Sequence, residues 1–120
     1  MEKKYYSDKN NFVSVEATCV ELIILERYPD IYIIEVENMI YEKTENCQFI
    51  GVMFEINEAN SSILREANIE EKLKNGSTFS FISAPEYFGD GYKCPIVAIE
   101  IDGEILLDFN TGYENLMKMY

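Results

Sequence analysis

Histidine does not occur in this chain. Without an imidazole, acid–base catalysis near neutral pH would need a carboxylate, a lysine or a thiol with a displaced pKa. The commonest nitrogen ligand for zinc is missing too. Cysteine is scarce: Cys19, Cys47 and Cys94 are widely spaced, and no CxxC occurs. Such an odd, dispersed set builds neither a disulfide framework nor a Cys/His zinc site, and it suits a reduced compartment. No apolar run approaches the ~20 residues of a membrane-spanning helix. The opening "MEKKYYSDKNNF" carries positive charge, but no apolar stretch of a secretory signal follows it. The expected location is therefore the cytoplasm. Nucleophile elbow, phosphate loop and HExxH motifs are all absent.

Positive charge is also in short supply. Ten basic side chains face twenty-two acidic ones, for a formal net charge of −12. The excess is even, with five basic and twelve acidic residues in 1–60 and five and ten in 61–120. The whole folded surface should thus be negative, not one tail. Such a field repels nucleic acid and anionic lipid, and it favours cations or basic protein surfaces. It also keeps a small domain soluble. With 48% hydrophobic residues in 120, the chain has material for one folded core and no room for a second. Residues 1–11 read as a flexible polar lead, and 12–120 as the single domain.

What is present is strand alternation. Val13, Val15, Ala17 and Cys19 alternate with Ser14, Glu16 and Thr18. The phase then flips, so that Val20, Leu22 and Ile24 share a side. A flip within one strand predicts a β-bulge near Cys19–Val20. "RYPD" at 27–30 is a turn. A second strand over 31–42 would put Tyr32, Ile34, Val36 and Ile40 on one face, and Glu35, Glu37, Met39 and Tyr41 on the other. A third, over 48–56, would put Ile50, Val52, Phe54 and Ile56 on one face, and Phe49, Gly51, Met53 and Glu55 on the other. The period then lengthens. Residues 57–76 read as helix, capped by Asn57, breaking near Asn68 ahead of Glu71, and stopped by Asn75-Gly76. Strand four spans 78–84 with Phe79 and Phe81 on one face. Strand five spans 95–101 with Val97, Ile99 and Ile101 together. Asp102-Gly103 is a two-residue hairpin turn. Strand six, 104–109, aligns Ile105, Leu107 and Phe109. The closing "TGYENLMKMY" reads as a short helix that lays Leu116, Met117 or Tyr120 on the sheet.

The fold class is therefore mainly β, a barrel with an inserted helix, in the order β1-β2-β3-α-β4-β5-β6. Over residues 12–109 this order, with "ANIEEKLKNGSTFSF" at the helix-to-strand-four junction, resembles the OB-fold. The resemblance implies a small closed barrel plugged by the helix between strands three and four. It concerns fold and carries no function with it.

Many OB-folds bind single-stranded nucleic acid through a basic groove set with exposed aromatics. The corresponding platform would be Tyr32, Tyr41, Phe49 and Met53. Beside it stand Glu35, Glu37, Glu42, Glu45 and Glu55 against Lys43 alone, so no nucleic-acid partner is expected. Cys94, next to Lys93 and before Pro95, is the best-placed thiol for nucleophilic work. A small buried residue at a strand start is the favoured reading of it. Glu86 and Asp90 could pair as carboxylates for glycoside chemistry, or sit in solvent as loop charges. "FGDGYK" holds only a fragment of a calcium-loop pattern. No metal or other cofactor is expected.

The loop "EYFGDGYKCP" is longer than a hairpin requires. Tyr87, Phe88 and Tyr92 could plug the barrel end or present a recognition surface. Overall, the residues point to a non-enzymatic, cytoplasmic protein-binding module for a basic partner, monomeric or weakly dimeric, without membrane contact. Its binding residues would be Glu35, Glu37, Glu55, Glu86, Tyr87, Asp90 and Tyr92. In size and charge the chain looks like bacterial immunity proteins, which neutralise basic toxins. The alternative is a small-ligand binder or enzyme working at the barrel mouth, with Glu86, Asp90 and Cys94.

Overall fold

Alternating burial builds the first strand, β1 (Val13–Ile24), which buries Val13, Val15, Ala17 and Cys19 and exposes Ser14 and Glu16. A computed structural model describes residues 8–42, 49, 52–85 and 94–119. The expected bulge in β1 is present. Cys19 lies opposite Val36 and Glu21 opposite Glu35, leaving Val20 as the extra residue. The bulge restores phase by turning Leu22 against the core. It is held from outside as well. The Cys19 N–H donates to the Ser77 carbonyl and the Gly76 N–H to the Cys19 carbonyl, both at 2.8 Å. The Asn75 amide donates to the Val20 carbonyl at 2.6 Å.

The second strand, β2 (Tyr32–Tyr41), buries Tyr32, Ile34 and Val36 as expected. Ile40 does not join them and is 68% exposed. The reason is a second bulge. Thr18 pairs with Glu37 but Glu16 with Ile40, so β2 carries one surplus residue where Asn38 takes a left-handed φ of 53°. Asparagine tolerates that conformation. Met39 and Tyr41 then turn toward the core in place of Ile40. The third strand is shorter than expected, β3 (Met53–Ile56). Phe54 and Ile56 are buried, Val52 precedes the strand and is exposed, and Ile50 lies outside the described residues.

Two short helices follow, α1 (Ser61–Glu66) and α2 (Ile69–Lys72). They break where Asn68 adopts φ 60°, at the expected place. Asn68 makes no side-chain capping bond, so the capping pair with Glu71 does not form. Asn57 does not cap the first helix either; its side chain accepts the Ala59 N–H at 3.1 Å in a preceding turn. Leu64, Ile69 and Leu73 drop into the strand core, which is why the segment is helical at all: pieces this short need tertiary packing.

The chain continues through β4 (Thr78–Ser83), β5 (Ile96–Ile101), β6 (Glu104–Leu107) and α3 (Phe109–Lys118). Asp102 and Gly103 have φ of 51° and 81°, the hairpin turn expected there. Two inward sets differ from expectation. Ser83 pairs with Ile96 and Ile82 with Ala98, so Val97 is bulged. It packs with Ala84 and Leu116 beneath α3, away from Ile99 and Ile101. In β6 a further shift brings Leu106 and Leu107 inside and leaves Ile105 63% exposed. The Asp108 side chain accepts the Thr111 N–H at 3.3 Å and caps α3, whose Leu116 is fully buried, as expected of the closing helix.

The six strands form one sheet in the order β3-β2-β1-β4-β5-β6, with antiparallel neighbours. β1 is central and pairs with both β2 and β4. The sheet curls far enough for Glu55 of β3 to meet Pro95, just before β5, in a parallel bridge. There the Glu55 N–H donates to the Cys94 carbonyl at 3.0 Å. Inside the curl, rings stack edge to face from Tyr41 through Phe49 and Phe54 to Phe81, with centroids 4.7–5.1 Å apart. No helix among the described residues is long and apolar enough to cross a membrane.

Candidate functional site: an acidic outer sheet face

Every charged side chain in the six strands is a glutamate: Glu16, Glu21, Glu35, Glu37, Glu55, Glu100 and Glu104. Strand register places most of them side by side on the outer face. One row crosses five strands as Ile40, Glu16, Ser80, Glu100 and Ile105. The next holds Glu37, Thr18 and Thr78. A third holds Met53, Glu35 and Glu21. A fourth holds Glu55, Ile33 and Ile23. Ion pairs among the described residues join Arg65 to Asp30 and Lys72 to Glu104. Neither neutralises Glu16, Glu21, Glu35, Glu37 or Glu100.

Glu21 and Glu35 are direct cross-strand partners. Like charges in that position destabilise a sheet by about 0.2–1 kcal/mol. Among the described residues neither ion pair involves Glu21 or Glu35, although Lys74 lines the same groove as Glu21. Glu21→Gln is expected to raise stability by about 0.5 kcal/mol, with the gain shrinking as salt rises. Urea melts at two ionic strengths check this; a destabilised variant would mean that Glu21 has a supporting contact.

Of the sequence-predicted residues, Glu35, Glu37 and Glu55 share this face. Glu37 is exposed, while Glu35 and Glu55 are half-buried. Glu86, Tyr87, Asp90 and Tyr92 lie outside the described residues. Sequence reasoning missed Glu16, Glu21 and Glu100, which join the face through strand pairing. Their signal was the alternation of each glutamate with an inward apolar neighbour. The aromatic platform considered for nucleic acid is not formed, because Tyr32 and Phe49 are buried at 1% and 6% exposure.

Exposed apolar side chains border the acids. Ile40 and Ile105 end the first row and Met53 starts the third. A shallow groove of about 310 Å³ runs over Ser80, Ile82 and Ala98 to Glu100, Asp108 and Phe109.

Both described thiols are buried. Burial, and then the nearby Glu21 charge, push the Cys19 thiol above its ordinary value. The protonated form is favoured, and thiolate is the reactive species. Cys19 is therefore expected to stay unlabelled by a thiol-disulfide reagent at pH 8 in the folded protein and to react after denaturation. Labelling at the rate of a free thiol would contradict the packing. Among the described residues no group of three or more acidic or cysteine side chains is placed to hold a metal ion.

No family model, curated protein or solved structure matches this chain.

Proposed function

We propose that this protein is a non-enzymatic binding module whose acidic outer sheet face captures a basic surface of another protein. The observation that carries the reading is the face itself: glutamates on four strands, no lysine or arginine in any of the six described strands, and a like-charge pair at Glu21–Glu35. A basic partner would turn that local repulsion into complementarity. Ile40, Ile105, Met53 and the groove beside Phe109 supply the apolar contacts that a purely charged face lacks. The net charge of −12 steers such a partner inward. A cytoplasmic, immunity-like or inhibitor-like role fits this chemistry.

We also infer that the fold is an OB-like barrel. β1 pairing with both β2 and β4, the helical insert between β3 and β4, and the parallel bridge from β3 to the start of β5 support it.

The test uses the wild-type chain and the Glu35→Lys/Glu37→Lys variant as baits in parallel, at low and high salt. A basic protein retained by the wild type at low salt, released at high salt and lost from the variant supports the reading. The same proteins retained on both baits would count against this face.

A further inference from the structure

The pairing of β1 with β4 ends at Thr18–Thr78, whereas its pairing with β2 runs on to Ile24–Tyr32. Among the described residues, the last residues of β1 thus have a strand on one side only. Their polar groups can be assigned by alternation. The Val36 N–H donates to Val52, on the β3 side, so Glu35 turns its N–H and C=O toward β1. Glu21, its partner, turns toward β2. Leu22 and Ile24 then direct theirs away from β2. On that side lies an open groove of about 400 Å³, walled across by Glu70, Leu73 and Lys74.

We propose that this edge is a strand-addition site for an extended segment in which basic and apolar residues alternate. The proposal rests on the acidic-face reading for the charge of the partner, and goes beyond it in site and mode. An added strand would hydrogen-bond to Leu22 and Ile24. Its inward side chains would meet Leu22, Ile24 and Leu73, and its outward ones would stand beside Glu21, with Glu35 one strand further. Glu70 adds a second acid at the groove wall, against Lys74 alone. A second copy of the chain fits poorly, since two-fold pairing would bring one Glu21 toward the other between chains that each carry −12. The Val20 bulge, fixed by Asn75 and Gly76, stops β4 from extending along the edge and leaves it available.

The test is a titration of the intact protein with acetyl-Lys-Val-Lys-Val-Lys-Val-amide and with two blocked peptides of the same sequence, one methylated at the backbone nitrogens of its valines and the other at the backbone nitrogens of its lysines. The change is made in the probe, so folding of the protein is not in question. The expected result is slowed hydrogen exchange at the Leu22 and Ile24 amides with the parent peptide. At least one blocked peptide should bind about tenfold more weakly, as loss of two hydrogen bonds predicts. Equal binding by all three, with shifts spread over Glu16, Glu37 and Glu100, would overturn strand addition and leave the acidic face standing. No binding by any of them at low salt would overturn strand addition and weigh against the acidic face as well.

Discussion

Gly112→Ala is expected to destabilise the protein by about 3 kcal/mol, an overpacking effect. In an isolated helix the same change would stabilise by close to 1 kcal/mol, so tertiary contact reverses the sign. A Cβ at Gly112 would stand 1.8 Å from the Val97 carbonyl oxygen, which is backbone and cannot swing aside. The bulge at Val97 is what brings that carbonyl up to the helix. To accommodate the methyl, α3 would have to lift from β5. That movement would strain the Asn60 amide bond to the Gly112 carbonyl at 3.1 Å and the Asn115 bond to the Asn60 side chain, also 3.1 Å. It would also uncover Leu116. The loss corresponds to a fall in Tm of roughly 10 °C or more for a domain of this size. Thermal melts check it, with Gly76→Ala as the comparison. That site has open space around it and a φ of 89°, so only backbone strain of about 1 kcal/mol applies. A Gly112→Ala variant as stable as wild type would mean that α3 does not seat against Val97.

Phe81→Ala is expected to cost about 4 kcal/mol, the usual range for deleting a buried ring. Phe81 is central to the interior. Its ring meets Phe54 at 4.7 Å and Phe79 at 5.1 Å, and so joins β3 to β4, two strands that are not neighbours in the sheet. Removing it leaves a cavity between the two sides of the curl that the backbone cannot collapse without unpairing strands. Small domains have about 5–15 kcal/mol in all, so the variant should lose a large share of its stability. Urea unfolding checks the value. A cost below about 1 kcal/mol would imply that the two sides of the sheet do not pack on each other.

How much of this was legible in the sequence depended on whether a strand kept a polar residue to mark its phase. In β1, Ser14, Glu16 and Glu21 mark both halves, and the bulge at Val20 could be read from them. In β2 the bulge sits at Asn38, and alternation carried across it put Ile40 inside. The asparagine was the overlooked cue, since it accepts a left-handed conformation that most residues avoid. "PIVAIEI" and "EILLDF" are nearly all apolar where Val97 and Leu106 shift the register, so periodicity there has no phase to read. The helix break at Asn68 and the Asp102-Gly103 turn are local chemistry, and both were readable. Asn57 and Asn60 were not: each offers the same capping side chain, and only the packing of α3 decides that Asn60 bonds across to Gly112.

The acidic face was half legible for the same reason. Glu35 and Glu37 share a side by alternation within one strand. Glu16, Glu21 and Glu100 reach it through pairings between residues far apart in sequence, which a single strand pattern does not contain.

The most direct test of the acidic face compares two double charge reversals of equal size against the basic protein retained by the wild-type bait. One is Glu35→Lys/Glu37→Lys on the face. The other is Glu66→Lys/Glu71→Lys on the exposed sides of α1 and α2. Affinity is measured across a range of salt. The account predicts that the face variant binds at least tenfold more weakly with a shallower salt slope, while the helix variant stays within a few-fold of wild type. Equal weakening by both would mean that net charge alone attracts the partner, and would contradict a binding site on the outer sheet.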